Sequence, residues 1–227
     1  MVVPVYNEER TIRTIHQAIL STGLASEVIY VNDGSSDLTR ALLEAVSDGK
    51  NIHVIHHPLN LGKGAAIRTG VEKASGDIII LQDADMEYDP HEYAKLLEPF
   101  NNSSVQVVYG ARFRSRTRKA FYLPHYIANR LLTLLTNVLF GSDLNDMETG
   151  YKVFRRLIFN ELSITSNGFE FEPEFTAKLL RKGYHIVEIP IGFNPRNYQQ
   201  GKKIKLHDAI KAVETLIRIR FQKNYLT

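Results

Sequence analysis

The chain has 227 residues, a formal net charge of +3 and a hydrophobic fraction of 44%. This length accommodates one large α/β domain, and the balance of apolar and charged residues is that of a globular protein rather than a disordered or collagen-like chain. Because the chain has no cysteine, disulfides, a cysteine nucleophile and thiolate metal sites are excluded. Any bound metal therefore needs oxygen or imidazole ligands.

Basic residues are concentrated in two stretches of the chain, 112–119 and 202–223. Such clustering predicts an anionic partner for one face, and we expect that partner not to be a nucleic acid. The polar segment 7–10 follows the first apolar residues at once, which leaves no room for the apolar core of a signal peptide. The most apolar stretch, 131–140, has roughly half of the ~20 residues that a membrane-spanning helix needs. We therefore expect neither export nor a transmembrane helix.

Short apolar runs alternate with helical patterns over the first 110 residues, and a long amphipathic stretch then leads into 131–140. The runs have the continuous apolar character of strands buried on both faces. This alternation predicts an α/β fold with a mostly parallel sheet, helices on both faces, and ligands at the carboxyl ends of the strands. Strands are expected at 1–5, 27–32, 52–57, 77–82, 105–109, 150–154 and 185–190. Helices are expected at 8–22, 37–48, 63–74, 90–99, 155–162, 172–183 and 207–222.

Three carboxylates, Asp83, Asp85 and Glu87, follow the fourth predicted strand. Alternate residues of extended backbone project to the same side, so either Asp85 with Glu87 or Asp83 with Asp85 can bind one hard divalent cation, Mg²⁺ or Mn²⁺. Such a cation would neutralise the charge that develops on a departing diphosphate. The alternative is a solvated acidic turn in which Asp89 caps the next helix.

The second predicted strand ends in the turn sequence 32–37. Gly34 permits a tight turn there, and the carboxylate of Asp33 can accept hydrogen bonds from a nucleobase or ribose. Alternatively, the segment is an ordinary turn in which a side chain caps the following helix. The loop 56–64 lacks both the dinucleotide and the P-loop fingerprints, and we interpret its two histidines as structural.

Two sets of motifs appear in a fixed order along the chain. The first set is PVYNEE at 4–9, NDGSSD at 32–37, NLGKG at 60–64 and DAD at 83–85. In this order it resembles family 2 glycosyltransferases, and the resemblance implies a GT-A fold with a Rossmann-like sheet in a catalytic domain over 1–205. The second set is similar to the polyprenyl-phosphate sugar transferases, the branch of the dolichyl-phosphate mannose synthases. It comprises GARF at 110–113, DMETGYK at 146–152, GFEFE at 168–172 and the segment 183–196.

The resemblance implies positions for the donor and the metal. Asp85 and Glu87 match the metal and diphosphate positions of the family, and Asp83 matches a position near the ribose and the metal. The chain departs from the family where Asn32 replaces a frequent Asp and where Glu87 replaces the Gln of many mannose synthases, which leaves metal preference and donor open. The nucleotide-sugar-binding residues that we predict are Pro4, Tyr6, Glu8, Asp33, Lys63, Asp83, Ala84, Lys202 and Lys205, the last two on a loop that can close over the diphosphate.

A lipid monophosphate acceptor is already an anion near neutral pH, so it needs positioning rather than a general base. Arg112 and Arg130 are candidates for that task, since guanidinium groups bind phosphate at two points. Asp146 can instead serve as the base for a hydroxyl acceptor, in which case the chain would act on a cell-surface polysaccharide. The predicted catalytic residues are therefore Asp85, Arg112, Arg130 and Asp146.

The chain ends in a predicted helix, which we assign to an appended segment, 206–227. Its apolar residues fall on one stripe with a cationic border, a pattern typical of helices in the headgroup region of an anionic bilayer. Alternatively, the helix packs on its own domain and exposes a basic face. The stripe consists of Ile210, Val213, Leu216, Ile217 and Phe221, and the border of Lys211, Arg218, Arg220 and Lys223.

The leading hypothesis is an inverting, metal-dependent transfer of a hexose, mannose or glucose, from a GDP- or UDP-sugar to a polyprenyl phosphate. The protein would work at the cytoplasmic face of a membrane, to which it binds peripherally. Two alternatives stay open: transfer to a saccharide hydroxyl, and an inactive module that binds nucleotide or membrane.

Overall fold

The computed structural model describes residues 1–114, 123–196 and 206–222. Within these residues the chain forms seven β-strands and eight α-helices. The strands are β1 (Val2–Val5), β2 (Val28–Asn32), β3 (Ile52–His56), β4 (Ile78–Ile80), β5 (Val107–Ala111), β6 (Lys152–Arg155) and β7 (Ile186–Pro190). The helices are α1 (Ile12–Ser21), α2 (Thr39–Val46), α3 (Lys63–Lys73), α4 (Tyr93–Leu97), α5 (Leu123–Phe140), α6 (Arg156–Leu162), α7 (Phe171–Arg181) and α8 (Leu206–Phe221).

The strands form a mostly parallel sheet with one reversed member. Strands β1, β2 and β3 pair in parallel, and a parallel bridge from Val2 to Leu81 connects β1 to the end of β4. The remaining strands are ordered β4-β6-β5-β7, and β6 runs antiparallel to both of its neighbours while β5 and β7 are parallel. The predicted mostly parallel α/β sheet is confirmed, and its carboxyl-end edge collects the polar loops.

Both faces of the sheet are buried, as the continuous apolar runs predict. In β2, Ile29 and Val31 point into one hydrophobic cluster, whereas Val28 and Tyr30 point into the other. This alternation follows from the two-residue period of a strand, and helices cover each face. The sheet is therefore a rigid support for the loops at its carboxyl edge.

The predicted helix at 90–99 is interrupted. Only α4 is α-helical, and 3₁₀ turns lie on both sides of it, at Pro90–Glu92 and Glu98–Asn101. Pro99 has no backbone N–H to donate and its ring crowds the preceding turn, so the α-helix cannot continue through it. The predicted cap is present, because the side chain of Asp89 accepts a hydrogen bond from the backbone N–H of His91 at 3.0 Å.

Helix α8 packs against α5 and α7 and does not present the single apolar stripe that its sequence predicts. Leu216 and Ile219 are buried in the core, whereas Ile210, Ile217 and Phe221 are exposed on the other side of the helix. The predicted stripe is thus divided between two faces. The predicted boundary between residues 205 and 206 adjoins residues outside the described ranges and stays a prediction.

None of the helices among the described residues is both long and apolar enough to cross a membrane.

Candidate active site

The carboxylates after β4 lie on a turn. Strand β4 ends at Ile80, Met86 adopts a left-handed backbone conformation with φ of 63°, and the N–H of Glu87 donates to Asp85 Oδ1 at 3.1 Å. The expectation of extended backbone, on which alternate side chains share one side, was therefore wrong. The three carboxylates are nevertheless gathered at the carboxyl edge of the sheet, and cationic side chains determine which of them lie together.

Arg196 joins Asp85 to Glu87. Its Nη2 donates to Asp85 Oδ2 at 2.8 Å, and its backbone N–H donates to Glu87 Oε1 at 2.7 Å. The same guanidinium forms a two-point contact with Glu8, with both N–O distances at 3.1 Å. Burial alone would lower the pKa of Arg196, but the charges of Asp85 and Glu8 outweigh it and raise the pKa. One arginine thus connects the end of β1 to the carboxylate turn.

The turn carries excess negative charge. Burial raises the pKa of Asp85 to about 7, and repulsion from Asp83 and Glu87 adds to the rise while Arg196 opposes it. Within the described ranges, no three His, Asp or Glu side chains already form a complete metal site. Two carboxylates that repel each other nevertheless suit a hard divalent cation, which takes oxygen ligands and completes its shell with water or substrate phosphate. The donor set fits Mg²⁺ or Mn²⁺.

Asp83 belongs to a row of alternating charges that leads into the core. Lys63 at the start of α3 contacts Asp83 Oδ1 at 2.8 Å and Glu172 Oε1 at 3.1 Å. Glu172 Oε2 in turn contacts the fully buried Lys152 at 2.5 Å. Burial would lower the pKa of Lys63, but Asp83 and Glu172 raise it, whereas burial lowers the pKa of Lys152. Lys63 therefore stays charged and fixes the carboxylate of Asp83.

Asp33 is occupied by its own chain. It is 3% exposed, and its two oxygens accept hydrogen bonds from His57 Nδ1 at 2.8 Å and from the N–H groups of Leu61 and Gly62 at 2.9 and 2.8 Å. These bonds attach the end of β2 to the loop before α3, and they give His57 the structural role that we predicted. The nucleoside-binding role of Asp33 stays a prediction.

The other residues that we predict to bind the nucleotide-sugar differ in their exposure to solvent. Pro4 in β1 and Tyr6 just after it are partly exposed at the carboxyl edge, beside Glu8. Ala84 is 3% exposed, and its side chain packs in the hydrophobic core rather than at the surface of the site. Lys202 and Lys205 lie outside the described residues.

Arg112 and Asp146 form a buried pair. Asp146 Oδ2 accepts from the backbone N–H and Nε of Arg112 at 2.9 and 2.8 Å, and Oδ1 accepts from Nη2 at 2.7 Å. Arg112 also lies over the ring of Phe113, with its guanidinium carbon 5.3 Å from the centroid, and Arg130 lies over the same ring at 5.9 Å. The two predicted phosphate-binding arginines therefore converge on one aromatic ring.

The loop that carries Asp146 is held against the carboxylate turn. Glu188 in β7 accepts a hydrogen bond from the backbone N–H of Asp146 at 2.9 Å. At Gly150, an added Cβ would collide with the carboxylate of Asp83, so a larger residue there would have to displace that carboxylate. Glu148, on the same loop, has a buried Oε1 with no hydrogen-bond partner, and burial together with the charge of Glu172 raises its pKa to about 7.

The model of the glycosyl transferase family 2 matches residues 1–163 of the chain. The chain belongs to this family. The resemblance predicted from the motifs is confirmed. The matched segment contains the carboxylate turn at 83–87 and all strands from β1 to β6.

Relatives of this family 2 glycosyltransferase include two lipid-linked sugar synthases. It is 25% identical over 205 residues to the polyprenol monophosphomannose synthase of Mycolicibacterium smegmatis, covering 86% of this chain and 77% of that protein. It is 28% identical over 239 residues to a dolichyl-phosphate beta-glucosyltransferase of Trichomonas vaginalis, covering 96% of this chain and 72% of that protein. Across five curated relatives, the chain spans 33% to 77% of their own lengths, and less than two thirds for three of them.

A solved structure shares the fold. The crystal structure of glucosyl-3-phosphoglycerate synthase from Mycobacterium tuberculosis, in complex with Mn²⁺ and uridine-diphosphate-glucose, aligns with a TM-score of 0.72 at 22% identity. The alignment covers 96% of this chain and 77% of that one. The predicted GT-A class is confirmed.

Four charged side chains of the site were not among the individually predicted site residues. Arg196, Glu172, Lys152 and Glu148 stand in segments that carry the family resemblance, but no local spacing distinguishes them from surface charges. Their common signal is a charged side chain that the fold buries, fully for Glu172 and Lys152 and in part for Arg196 and Glu148. That signal becomes visible only with the fold.

Proposed function

We propose that the chain transfers a hexose, mannose or glucose, from a GDP- or UDP-sugar to a polyprenyl phosphate, with inversion at the anomeric carbon. Family membership and the two lipid-linked sugar synthases among its relatives support this reaction. The observation that carries the choice of acceptor is the state of Asp146, whose two carboxylate oxygens are occupied by Arg112.

A hydroxyl acceptor requires a base within hydrogen-bond reach of its proton. Asp146 has no exposed side-chain surface and is tied to Arg112 by three hydrogen bonds, so its carboxylate is not accessible to an incoming hydroxyl. A phosphate monoester needs no such base, because it arrives as an anion. Arg130, which is exposed and lies over Phe113, is the more accessible of two cations that can bind it.

The donor diphosphate fits the carboxylate turn. Asp85 and Glu87 would hold Mg²⁺ or Mn²⁺, which when bound neutralises the charge on the leaving nucleoside diphosphate. Lys63 fixes Asp83 beside this position, and Arg196 provides a second positive charge next to Asp85. Pro4 and Tyr6 line the same edge and are our candidates for contact with the nucleoside.

The transfer is a single displacement. A phosphate oxygen of the lipid attacks the anomeric carbon and forms a new C–O bond, while the bond from that carbon to the diphosphate breaks on the opposite face. No proton has to move in this step. The chain contributes orientation and electrostatic stabilisation, which together supply most of the acceleration in reactions of this kind. We place this reaction at the cytoplasmic face of a membrane, with the protein bound peripherally.

The test is a transfer assay with the purified chain, Mn²⁺ or Mg²⁺, labelled GDP-mannose or UDP-glucose, and a short polyprenyl phosphate. We expect labelled lipid product, and its loss both with EDTA and in Asp85→Ala. Asp89→Ala is the matched control, because Asp89 is an exposed acidic residue four positions away whose side chain is 62% exposed. Transfer only to a saccharide hydroxyl would contradict the proposed acceptor, and nucleotide-sugar binding without any transfer would favour the inactive module.

A further inference from the structure

Helices α5 and α8 each have a second apolar face that points away from the protein. On α5, Leu132, Thr133 and Thr136 are buried, and the exposed leucine, isoleucine and valine side chains recur every three or four residues on the opposite side. On α8 the same division separates buried Leu216 and Ile219 from exposed neighbours. We define the outward apolar face by its members: Leu123, Ile127, Leu131, Leu134 and Val138 on α5, and Ile210, Ile217 and Phe221 on α8.

The concentration of exposed apolar surface on these two helices is unusual. Among the described residues, fourteen large hydrophobic side chains are exposed, and eight of them belong to the outward apolar face. The two helices pack side by side, so their exposed members lie on neighbouring surfaces. Exposed hydrophobic residues scattered singly need no explanation, but a contiguous set marks an interaction surface.

The charges around this face indicate what covers it. Helix α5 contains no acidic residue, and Arg130 is exposed at the edge of its apolar side. Helix α8 adds the exposed cations Lys211, Arg218 and Arg220 and one exposed acidic residue, Glu214, so its exposed charges are mainly positive. In the sequence, the segment 112–119 just before α5 has five basic residues and no acidic one. A symmetric contact with a second copy would oppose these cations to themselves, whereas an anionic bilayer attracts all of them.

We propose that the outward apolar face is a two-helix platform that lies on an anionic membrane surface, with its leucine, isoleucine and phenylalanine side chains inserted among the lipid headgroups. Apolar insertion and cationic attraction together are the two requirements for stable attachment of interfacial helices. The platform adjoins the site, because Arg130 of α5 donates to the carbonyl of Asn145, next to Asp146. A membrane-bound platform has a biological role only if the proposed function is right. The observations that support the platform itself are the exposed apolar and basic residues of α5 and α8.

The experiment is vesicle flotation of the full chain. Vesicles contain phosphatidylcholine alone or with about a third of anionic phosphatidylglycerol. The test variant is Leu131→Gln/Leu134→Gln, and the matched control is Leu38→Gln/Leu157→Gln, which changes two leucines that are equally exposed but lie outside the platform. We expect the wild type and the control to float with the anionic vesicles. The test variant should bind at least about tenfold more weakly, since two inserted leucines are lost.

Equal flotation of the test variant and the wild type would overturn the proposal, as would no flotation of the wild type. A wild-type dimer in light scattering, converted to a monomer by Leu131→Gln/Leu134→Gln without a change in flotation, would assign the face to a second copy instead. Transfer to a short, soluble prenyl phosphate separates the two proposals. If flotation depends on the platform but no transfer occurs, the surface stands and the proposed function fails; retained transfer in the test variant supports both.

Discussion

Replacing Asp146 with asparagine should destabilise the protein strongly while leaving the shape of its pH–rate profile unchanged. Asp146 accepts three hydrogen bonds from Arg112 and has no exposed side-chain surface, so the substitution leaves a buried guanidinium without its counter-charge. Breaking one partner of a buried pair costs about 3–5 kcal/mol. Asparagine keeps one acceptor oxygen, and we therefore expect about 3 kcal/mol, the lower end of that range.

The assay combines thermal unfolding with initial rates at a temperature where both proteins are folded. For a chain of this size, about 3 kcal/mol corresponds to a fall in Tm of roughly 6–12 °C. Arg112→Met and the double variant Arg112→Met/Asp146→Asn complete a cycle, in which the double change should cost less than the sum of the single ones, because neither charge is left unpaired. Glu44→Gln is the control, since the Arg40–Glu44 pair is 64% and 54% exposed and should contribute under about 1 kcal/mol.

The contrary result would be an Asp146→Asn variant that unfolds like the wild type but loses transfer by about 10²–10⁴-fold together with one limb of its pH profile. Such a result would identify Asp146 as a general base. The acceptor would then be a hydroxyl.

Three further changes test other parts of the site and fold. Burial raises the pKa of Glu148 to about 7, so the folded state favours the protonated form, and stability should fall as the pH rises from about 4.5 to 7. Glu148→Gln should reduce that fall in urea titrations at several pH values, and the remaining fall should come from Asp85, whose pKa burial also raises to about 7. Gly150→Ala should displace Asp83 and lower kcat/KM for the donor by about 10²-fold, whereas Gly76→Ala, whose Cβ meets nothing closer than 3.9 Å, should not. Leu216→Ala should cost about 2–5 kcal/mol and the adjacent, exposed Ile217→Ala under about 0.5, because only Leu216 faces the core.

Much of the fold follows from local patterns. The first three strands and their helices lie within a few residues of their predicted bounds, because strands buried on both faces and amphipathic crossover helices each leave a periodic signal. The strand at β6 was predicted too, but the reversed direction of β6 leaves no such signal. Its direction and its place between β4 and β5 depend on pairing between distant segments, which no local periodicity encodes.

The candidate site divides in the same way. The position of the carboxylates at 83–87 after a buried strand marks them as candidates in the sequence. Their geometry could not be predicted, because no local pattern indicates a turn in which Met86 has a positive φ. Their cationic partners lie far away in the chain: Arg196 is 111 residues from Asp85. Only the three-dimensional structure shows which carboxylate each cationic side chain contacts.

These partners explain why the site contains so many buried charges. Removing ions from water is costly, and our hypothesis is that the buried pairs of this site are retained for the arrangement that they specify more than for the stability that they add. Asp83, Lys63, Glu172 and Lys152 form a row in which each charged side chain contacts one of opposite charge. Removing the charge of Lys152 would therefore leave Glu172 with one cationic partner fewer. Lys152, whose side chain has no exposed surface, is therefore linked to Asp83 through Glu172 and Lys63. Losing Lys152 should disturb Asp83 more than losing any exposed lysine.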